Sequence, residues 1–123
     1  MQVVRFDTDA AVTEYSRPAT DRVTAGDPVQ GVRNVFTDGS GQFFCGIWQS
    51  SVGSWKVRYT ENELCHLLRG HVRLTDDAGR VQDFRAGDSF VVPCGFSGLW
   101  EVLEPAEKLY AIFEAVPAPS TVA

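Results

Sequence analysis

From residue 32 onward, short apolar segments alternate with turn residues along the chain. Such segments, about four to seven residues long and separated by turns containing Gly, Asp or Pro, are typical of a β-sandwich or barrel. Residues 55–60 alternate strictly, which places Trp55, Val57 and Tyr59 on one face of a strand. No segment after residue 30 keeps a helical period, so the pattern predicts an all-β domain.

Turn positions divide this region into hairpins. The sequence DGSG predicts one hairpin within residues 32–49, and DDAG predicts a second within residues 71–84. Further strands are predicted at SFVV, GLWEVLE and KLYAIFE. We expect an irregular N-terminal arm over residues 1–30, with one short strand near residues 3–6. A barrel over residues 31–115 and a loose tail over residues 116–123 should follow.

The composition of the chain indicates which classes of partner it is expected to bind and in which cellular compartment it is expected. The 123 residues suffice for one domain, and the net charge of −5 argues against nucleic acid as a partner. Three cysteines without a CxxC pair indicate reduced thiols rather than a disulfide framework. Neither a signal peptide nor a membrane span is evident. We therefore expect a cytoplasmic protein without a membrane partner.

Two sequence motifs carry a resemblance to a known family. Glu63 and Gly70 are separated by six residues, and Gly87, Pro93 and Gly95 follow the spacing G-x5-P-x-G. These segments resemble the paired signature motifs of the cupin superfamily. The resemblance implies a double-stranded β-helix, or jelly-roll β-sandwich barrel. The Gly and Pro positions by themselves indicate tight turns rather than chemistry.

A longer pattern narrows the resemblance to one group. It is similar to the small cupins related to ureidoglycine aminohydrolase, many of them uncharacterised. The matching residues are Trp55, Val57, Tyr59, Glu61, Glu63, Gly70, Gly87, Asp88, Phe90, Pro93, Gly95, Phe96, Gly98, Trp100, Glu101, Lys108 and Tyr110.

The resemblance also implies where a metal would bind. The metal-ligand positions of cupins fall on Val57, Tyr59, Glu63 and Gly98, and three His positions are thus replaced by residues that ligate poorly or not at all. We therefore expect no bound transition metal and no other cofactor, and the family's metal-dependent activities do not carry over.

The two histidines do not restore the missing ligands. Alternation places His66 on the opposite face of its strand from Glu63. We expect His66 and His71 to have surface or interface roles.

A pocket for an organic ligand is the remaining candidate site. Alternation points Tyr59, Glu63 and Cys65 into the same interior, where Trp100 is also expected, and the resemblance places Lys108 and Tyr110 near the rim. Two readings of Glu63 stay open. It could bond to Tyr59, to Arg58 or Lys56 at the rim, or to backbone. Alternatively, it could bind a cationic or amide-bearing ligand or serve as a general base with a raised pKa.

Three functions follow from these residues. The first is a small-molecule-binding cupin without a metal. The second is an enzyme related to ureidoglycine aminohydrolase, or another hydrolase or isomerase acting on a small nitrogenous metabolite. Glu63 would be the acid/base, and Tyr59 would be the proton donor or would orient the substrate. The third is a structural protein with a filled barrel. The sequence does not decide whether the protein is an enzyme. The resemblance further implies a homodimer formed through sheet faces and the N-terminal arm.

Overall fold

A computed structural model describes residues 1–6 and 12–115, which contain nine strands and no helix. The predicted tail over 116–123 lies outside the described residues. The strands are β1 (Glu14–Ser16), β2 (Val23–Gly26), β3 (Gln30–Thr37), β4 (Phe43–Ser50), β5 (Gly53–Arg58), β6 (Asn62–Asp76), β7 (Val81–Arg85), β8 (Ser89–Val92) and β9 (Ser97–Phe113). None of the described residues belongs to a helix that is long and apolar enough to cross a membrane.

The strands form one curled antiparallel sheet around β9. Its order is β1-β3-β4-β9-β5-β2, and β6 pairs with β7, β8 and β9. The first half of β9 lies between β5 and the second half of β6, whereas the second half of β9 lies between β4 and the first half of β6. The two long strands therefore link two layers that face each other. This arrangement confirms the predicted all-β jelly-roll fold.

Both β6 and β9 were predicted as pairs of shorter strands. Each runs through the corner without ending, because the register of their pairing shifts between Leu67 and Val72 and such bulges bend a strand. Gly70 lies at this corner with a φ of 92°. A Cβ at Gly70 would overlap the carbonyl oxygen of Pro105 on β9. The glycine of the first motif thus permits the close approach of two backbones.

The hairpin predictions are confirmed by β3–β4 and β6–β7. The short strand predicted near residues 3–6 is wrong, since these residues are not in a strand. Instead β1 pairs with β3 and β2 pairs with β5, so the first thirty residues extend the sheet at both edges. Both strands are short and almost wholly exposed, and they therefore carry little of the alternation by which a strand is recognised.

The core fills most of the space between the layers. Trp100, Leu67 and Val72 are fully buried there, and Trp48 and Trp55 pack beside Trp100.

Candidate functional site

A buried ion pair links β6 to β9 inside the barrel. Lys108 Nζ lies 3.0 Å from Glu63 Oε2, and the Tyr59 hydroxyl donates to Glu63 Oε1 at 2.8 Å. The side chains of Lys108 and Glu63 are only 4% and 6% exposed. Of the two readings of Glu63, bonding to Tyr59 is therefore the one observed. Its cationic partner is Lys108 rather than a rim cation, and both carboxylate oxygens are engaged.

Lys108 is also held by the aromatic rings around it. Its ammonium lies 4.3 Å from the ring centroid of Trp100 and 4.6 Å from that of Trp48, which are cation–π distances. Burial lowers the pKa of Lys108, but the attraction and hydrogen bond of Glu63 outweigh it and hold this pKa above its ordinary value. Lys108 therefore stays a cation at neutral pH.

Tyr59 and Cys65 keep their protons at this site. Burial, followed by the neighbouring charge of Glu63, raises the pKa of Tyr59 well above its ordinary range. Burial likewise raises the pKa of the Cys65 thiol to about 12. Tyr59 is thus a hydrogen-bond donor at neutral pH, and Cys65 is not a reactive thiolate.

An open cavity of about 350 Å³ adjoins this network. Its described lining consists of Pro18, Ala19, Arg22, Gln30, Trp48, Trp55, Lys56, Val57, Arg58, Tyr59, Glu61, Trp100 and Lys108. Indole rings and an aliphatic side chain supply apolar walls, and a few polar groups supply anchors, as in most small-molecule sites.

The charge around the cavity differs from that of the whole chain. Among its described lining residues, Arg22, Lys56 and Arg58 are exposed cations, and Glu61 is the one acid. The chain as a whole has a net charge of −5. The mouth of the cavity is therefore a locally basic region, which attracts anions.

One buried donor near the cavity lacks an acceptor. Among the described residues, Trp100 Nε1 is the buried side-chain nitrogen or oxygen without a hydrogen-bond partner. The neighbouring Trp48 Nε1 donates to Gln30 Oε1 at 2.8 Å. Buried polar groups without partners are rare and costly, so the indole N–H of Trp100 calls for an acceptor that the protein does not supply.

The predicted pocket residues divide into two groups. Tyr59 and Trp100 line the cavity, whereas Glu63 lies behind Tyr59 and Lys108 and is absent from the lining. Cys65 and Tyr110 belong to the core cluster. The Tyr110 hydroxyl donates to Asn34 Oδ1 at 2.9 Å and is thus engaged away from the cavity lining.

The residues at the implied metal positions do not fit a metal. A Cβ at Gly98 would overlap the carbonyl oxygen of Thr75, so no His side chain could stand there without a backbone shift. The ammonium of Lys108 already occupies one oxygen of Glu63 and would repel a cation. In residues 1–6 and 12–115, no three His, Cys, Asp or Glu side chains form a group that could hold a metal ion.

The histidines lie away from the ion pair. His66 Nδ1 is 2.8 Å from Ser89 Oγ, and His66 lies on the opposite face of β6 from Glu63, as predicted. His71 is buried, which differs from the predicted surface role, and its Nε2 lies 3.1 Å from Asp83 Oδ2. At this point β6 pairs with β7, and His71 lies beside Arg85.

The family of the chain follows from its sequence. Residues 37–110, more than half of the chain, match the EutQ-like cupin domain. The chain belongs to this family. No curated protein matches this EutQ-like cupin.

Solved structures share its fold. A protein of unknown function of the DUF861 family from Pseudomonas syringae is 24% identical, with a TM-score of 0.76 over 83% of this chain and 44% of that one. The EutQ protein of Clostridium difficile is 20% identical, with a TM-score of 0.64 over 72% of this chain and 64% of that one. This cupin therefore spans less than two thirds of the length of both proteins.

A third structure is closer in sequence over a shorter stretch. A DUF861 protein from Thermotoga maritima is 36% identical, with a TM-score of 0.51 over 52% of this chain and 73% of that one. These likenesses support the cupin fold and indicate no ligand or reaction.

Sequence reasoning missed the role of Lys108. It placed this residue near the rim from the resemblance, whereas the side chain is buried and neutralises Glu63. A signal was present, because Lys108 has the same parity as Tyr110 and Ile112 in KLYAIF and so belongs to the inward face. A buried carboxylate next to an inward lysine on another strand predicts an ion pair once the pairing of the strands is known.

Proposed function

We propose that this cupin binds a small organic molecule in the cavity beside Lys108, without a transition metal, and that the molecule carries a hydrogen-bond acceptor such as a carboxylate. The observation that carries this proposal is the unpartnered Trp100 N–H in a residue of the cavity wall. The N–H itself is covered in the free protein, so an acceptor on a bound molecule would satisfy this donor once the side chains that cover it move aside.

Charge favours an anionic over a cationic ligand. The charge of Glu63 is neutralised by Lys108, and its second oxygen accepts from Tyr59. Among the described lining residues, Glu61 is then the one carboxylate open to a cationic ligand, against the three exposed cations Arg22, Lys56 and Arg58. The basic mouth formed by Arg22, Lys56 and Arg58 would attract an anion.

The apolar part of the ligand would lie against the indole rings. Trp48 and Trp55 line the cavity together with Trp100. Flat aromatic or aliphatic groups bury apolar area on such surfaces. A ring bearing a carboxylate matches both features of the cavity.

Three probes with the same ring test the charge preference. Benzoate, benzamide and benzylamine carry an anionic, a neutral and a cationic group, and binding is measured by quenching of tryptophan fluorescence and by isothermal titration calorimetry. We expect benzoate to bind most tightly and benzylamine least. The reverse order, or no binding by any probe at millimolar concentration, would overturn the proposal.

Two variants test whether the Trp100 N–H donates a hydrogen bond to the ligand. Trp100→Phe removes an N–H that has no partner in the protein, so benzoate affinity should fall roughly tenfold to a hundredfold, as for loss of one hydrogen bond to a charged group. The matched control is Trp48→Phe, whose N–H is already engaged by Gln30. An equal loss in both variants would show that ring area rather than the donor matters.

The metal content of the purified protein tests the proposal that it binds its ligand without a transition metal. We expect less than one tenth of a manganese, iron, nickel or zinc ion per chain by mass spectrometry of untagged protein purified without chelators. A value near one ion per chain, retained after gel filtration, would contradict the metal-free site.

A second candidate is an enzyme, and the chain Tyr59–Glu63–Lys108 is the observation that favours it. Tyr59 lines the cavity and keeps its proton, so it could donate that proton to a bound molecule and regain one from the Lys108 ammonium by way of Glu63. The reaction would be hydrolysis or isomerisation of a small nitrogenous metabolite, as the resemblance to the group of ureidoglycine aminohydrolase suggests.

Ammonia release from ureidoglycine is the direct assay of this candidate. Turnover by the wild type that is lost in both Tyr59→Phe and Glu63→Gln would support it. Absence of turnover in the wild type, or unchanged turnover in Glu63→Gln, would exclude the stated mechanism.

A further inference from the structure

A groove lies on the outer side of the sheet, where the ends of β5, β9 and β6 pair. Lys56 pairs with Leu99, and Leu99 pairs with Thr75 on β6. Arg58 pairs with Ser97. Side chains at paired positions lie on the same face of a sheet, and these positions alternate with the buried tryptophans of β5 and β9. Together they line an open cavity of about 480 Å³, which we call the outer groove.

Three cations lie along one edge of the outer groove. Arg22 precedes β2, and its carbonyl oxygen accepts a hydrogen bond from the backbone N–H of Lys56 at 2.9 Å. Lys56 and Arg58 are two positions apart on one face of β5, which separates their Cα atoms by about 7 Å. All three residues are exposed and line the groove. Positive charge is therefore concentrated in a small area.

These three cations lack counter-ions within the part of the chain that the structure describes. None of them forms an ion pair with a residue in 1–6 or 12–115, whereas four other arginines pair with acids, namely Arg17, Arg69, Arg73 and Arg80. The chain has 16 Asp and Glu against 11 Lys and Arg, so acids are in excess. Neighbouring like charges on a sheet are unfavourable unless something balances them.

The acid nearest to the cations in the groove is already engaged. Among its described lining residues, Asp76 is the one acid. Its carboxylate accepts hydrogen bonds from the side chain of Arg80 and from the backbone N–H groups of Ala78 and Arg80. Glu61 lines the cavity beside Lys108 but not the outer groove. The groove thus presents positive charge that its own lining does not balance.

Two hydroxyls complete the polar lining of the groove. Thr75 and Ser97 are partly buried, and their side-chain hydroxyls make no hydrogen bond to a described residue. Each hydroxyl has one hydrogen to donate. A phosphate group carries a charge of about −1.5 to −2 at pH 7 and has three strong acceptor oxygens. Several cations beside unengaged hydroxyls therefore match a phosphate better than a single carboxylate.

We propose that the outer groove binds a phosphate group, held by Arg22, Lys56 and Arg58 and by the hydroxyls of Thr75 and Ser97. Arginine and lysine form short, charge-assisted hydrogen bonds with phosphate oxygens. A nucleic acid is disfavoured as the source of this phosphate, since the net charge of −5 repels a polyanion. The phosphate is that of a small molecule or the free ion.

The outer groove and the cavity beside Lys108 lie on opposite sides of β5. They share the three cations of the edge between them. Trp100 lines the cavity and not the groove, whereas Thr75 and Ser97 line the groove and not the cavity. Substitution of a hydroxyl therefore separates the two sites.

Isothermal titration calorimetry of the full chain with inorganic phosphate tests the site. We expect a dissociation constant of about 1 mM or below. Acetate, which carries one charge, should bind at least about tenfold more weakly. Methyl phosphate that binds as tightly as inorganic phosphate would assign the groove to phosphate monoesters, and weaker binding would assign it to the free ion. No binding of either phosphate at about 10 mM, or acetate bound as tightly as phosphate, would overturn the proposal.

Two arginine variants show whether binding is local to the groove. Arg58→Gln removes one of the three cations and should weaken phosphate binding about tenfold. The matched control is Arg85→Gln, which removes the same charge from an exposed residue outside the groove and should change the affinity by less than about twofold. Equal losses in the two variants would show that only net charge matters, which would overturn the site.

A hydroxyl variant separates this site from the cavity beside Lys108. Ser97→Ala should weaken phosphate binding by about threefold to tenfold and leave benzoate binding unchanged, because Ser97 does not line that cavity. Unchanged phosphate binding in both Ser97→Ala and Thr75→Val would contradict the proposed role of the hydroxyls. Since phosphate is titrated alone, a failure of benzoate to bind would contradict the proposed ligand of the cavity and not the phosphate site.

Discussion

The two sides of β6 and β9 reverse the usual distribution of polar and apolar residues. On the inner side, Glu63 and Lys108 are buried as charges. On the outer side, their chain neighbours Leu64 and Leu109 are apolar, and Leu64 is 47% exposed. An antiparallel sheet with one solvated face normally shows the opposite pattern.

Neither arrangement is explained by what it contributes to the stability of the fold. A buried ion pair contributes little net stability, because the loss of hydration offsets the attraction between the charges. An exposed apolar surface gives up the hydrophobic free energy that its burial would release. The inner side is therefore the candidate for ligand binding. Three sets of variants, each compared with the wild type, test this contrast.

The largest effect is expected at the buried ion pair. Lys108→Met leaves the carboxylate of Glu63 buried without its cation, so the free energy of unfolding should fall by about 3–5 kcal/mol in urea titrations. The double variant Lys108→Met/Glu63→Leu removes both charges and should recover most of the loss. A single variant as stable as the wild type would show that the pair is not buried.

The exposed pair of Arg69 and Glu107 is the matched control for this measurement. Arg69 is 60% exposed at its side chain, so Arg69→Met should cost less than about 1 kcal/mol. The pKa of Lys108 is raised in the folded protein, so its contribution is fully present below the ordinary lysine pKa and is lost only as the pH rises above it.

A smaller difference in stability is expected between variants of two adjacent leucines on opposite sides of β6. Leu67 is fully buried and Leu68 is 43% exposed. Leu67→Ala should lower the free energy of unfolding by about 2–5 kcal/mol, and Leu68→Ala by less than about 1 kcal/mol, in dilute protein where any dimer dissociates. Equal losses would contradict the assignment of the two sides.

The smallest effect on stability is expected at the exposed strand β7, where Asp83 accepts hydrogen bonds from Arg73. These bonds, followed by the contact with His71, lower the pKa of Asp83 to about 2. Because the folded pKa lies below the unfolded one, the stabilisation is present at neutral pH and is lost as the pH falls toward about 2. Asp83→Asn should therefore lower the urea midpoint slightly at neutral pH and leave it unchanged near that acid limit.

Much of the fold could be predicted from local pattern. Hairpins depend on turn residues and on alternation, both of which are local, so β3–β4 and β6–β7 were predicted correctly. The strands β1 and β2 were missed because their exposed residues take part through backbone hydrogen bonds, which do not depend on side-chain type.

By itself, the sequence determined the all-β class, the cupin motifs with their turn glycines, and the inward direction of Glu63 and Tyr59. These follow from spacing and parity within single strands. Only the tertiary structure decided that Lys108 neutralises Glu63 and that Trp100 keeps an unpartnered N–H. The physical reason is that these features depend on register between strands far apart in the chain, and a shift of one residue would turn every side chain to the other face.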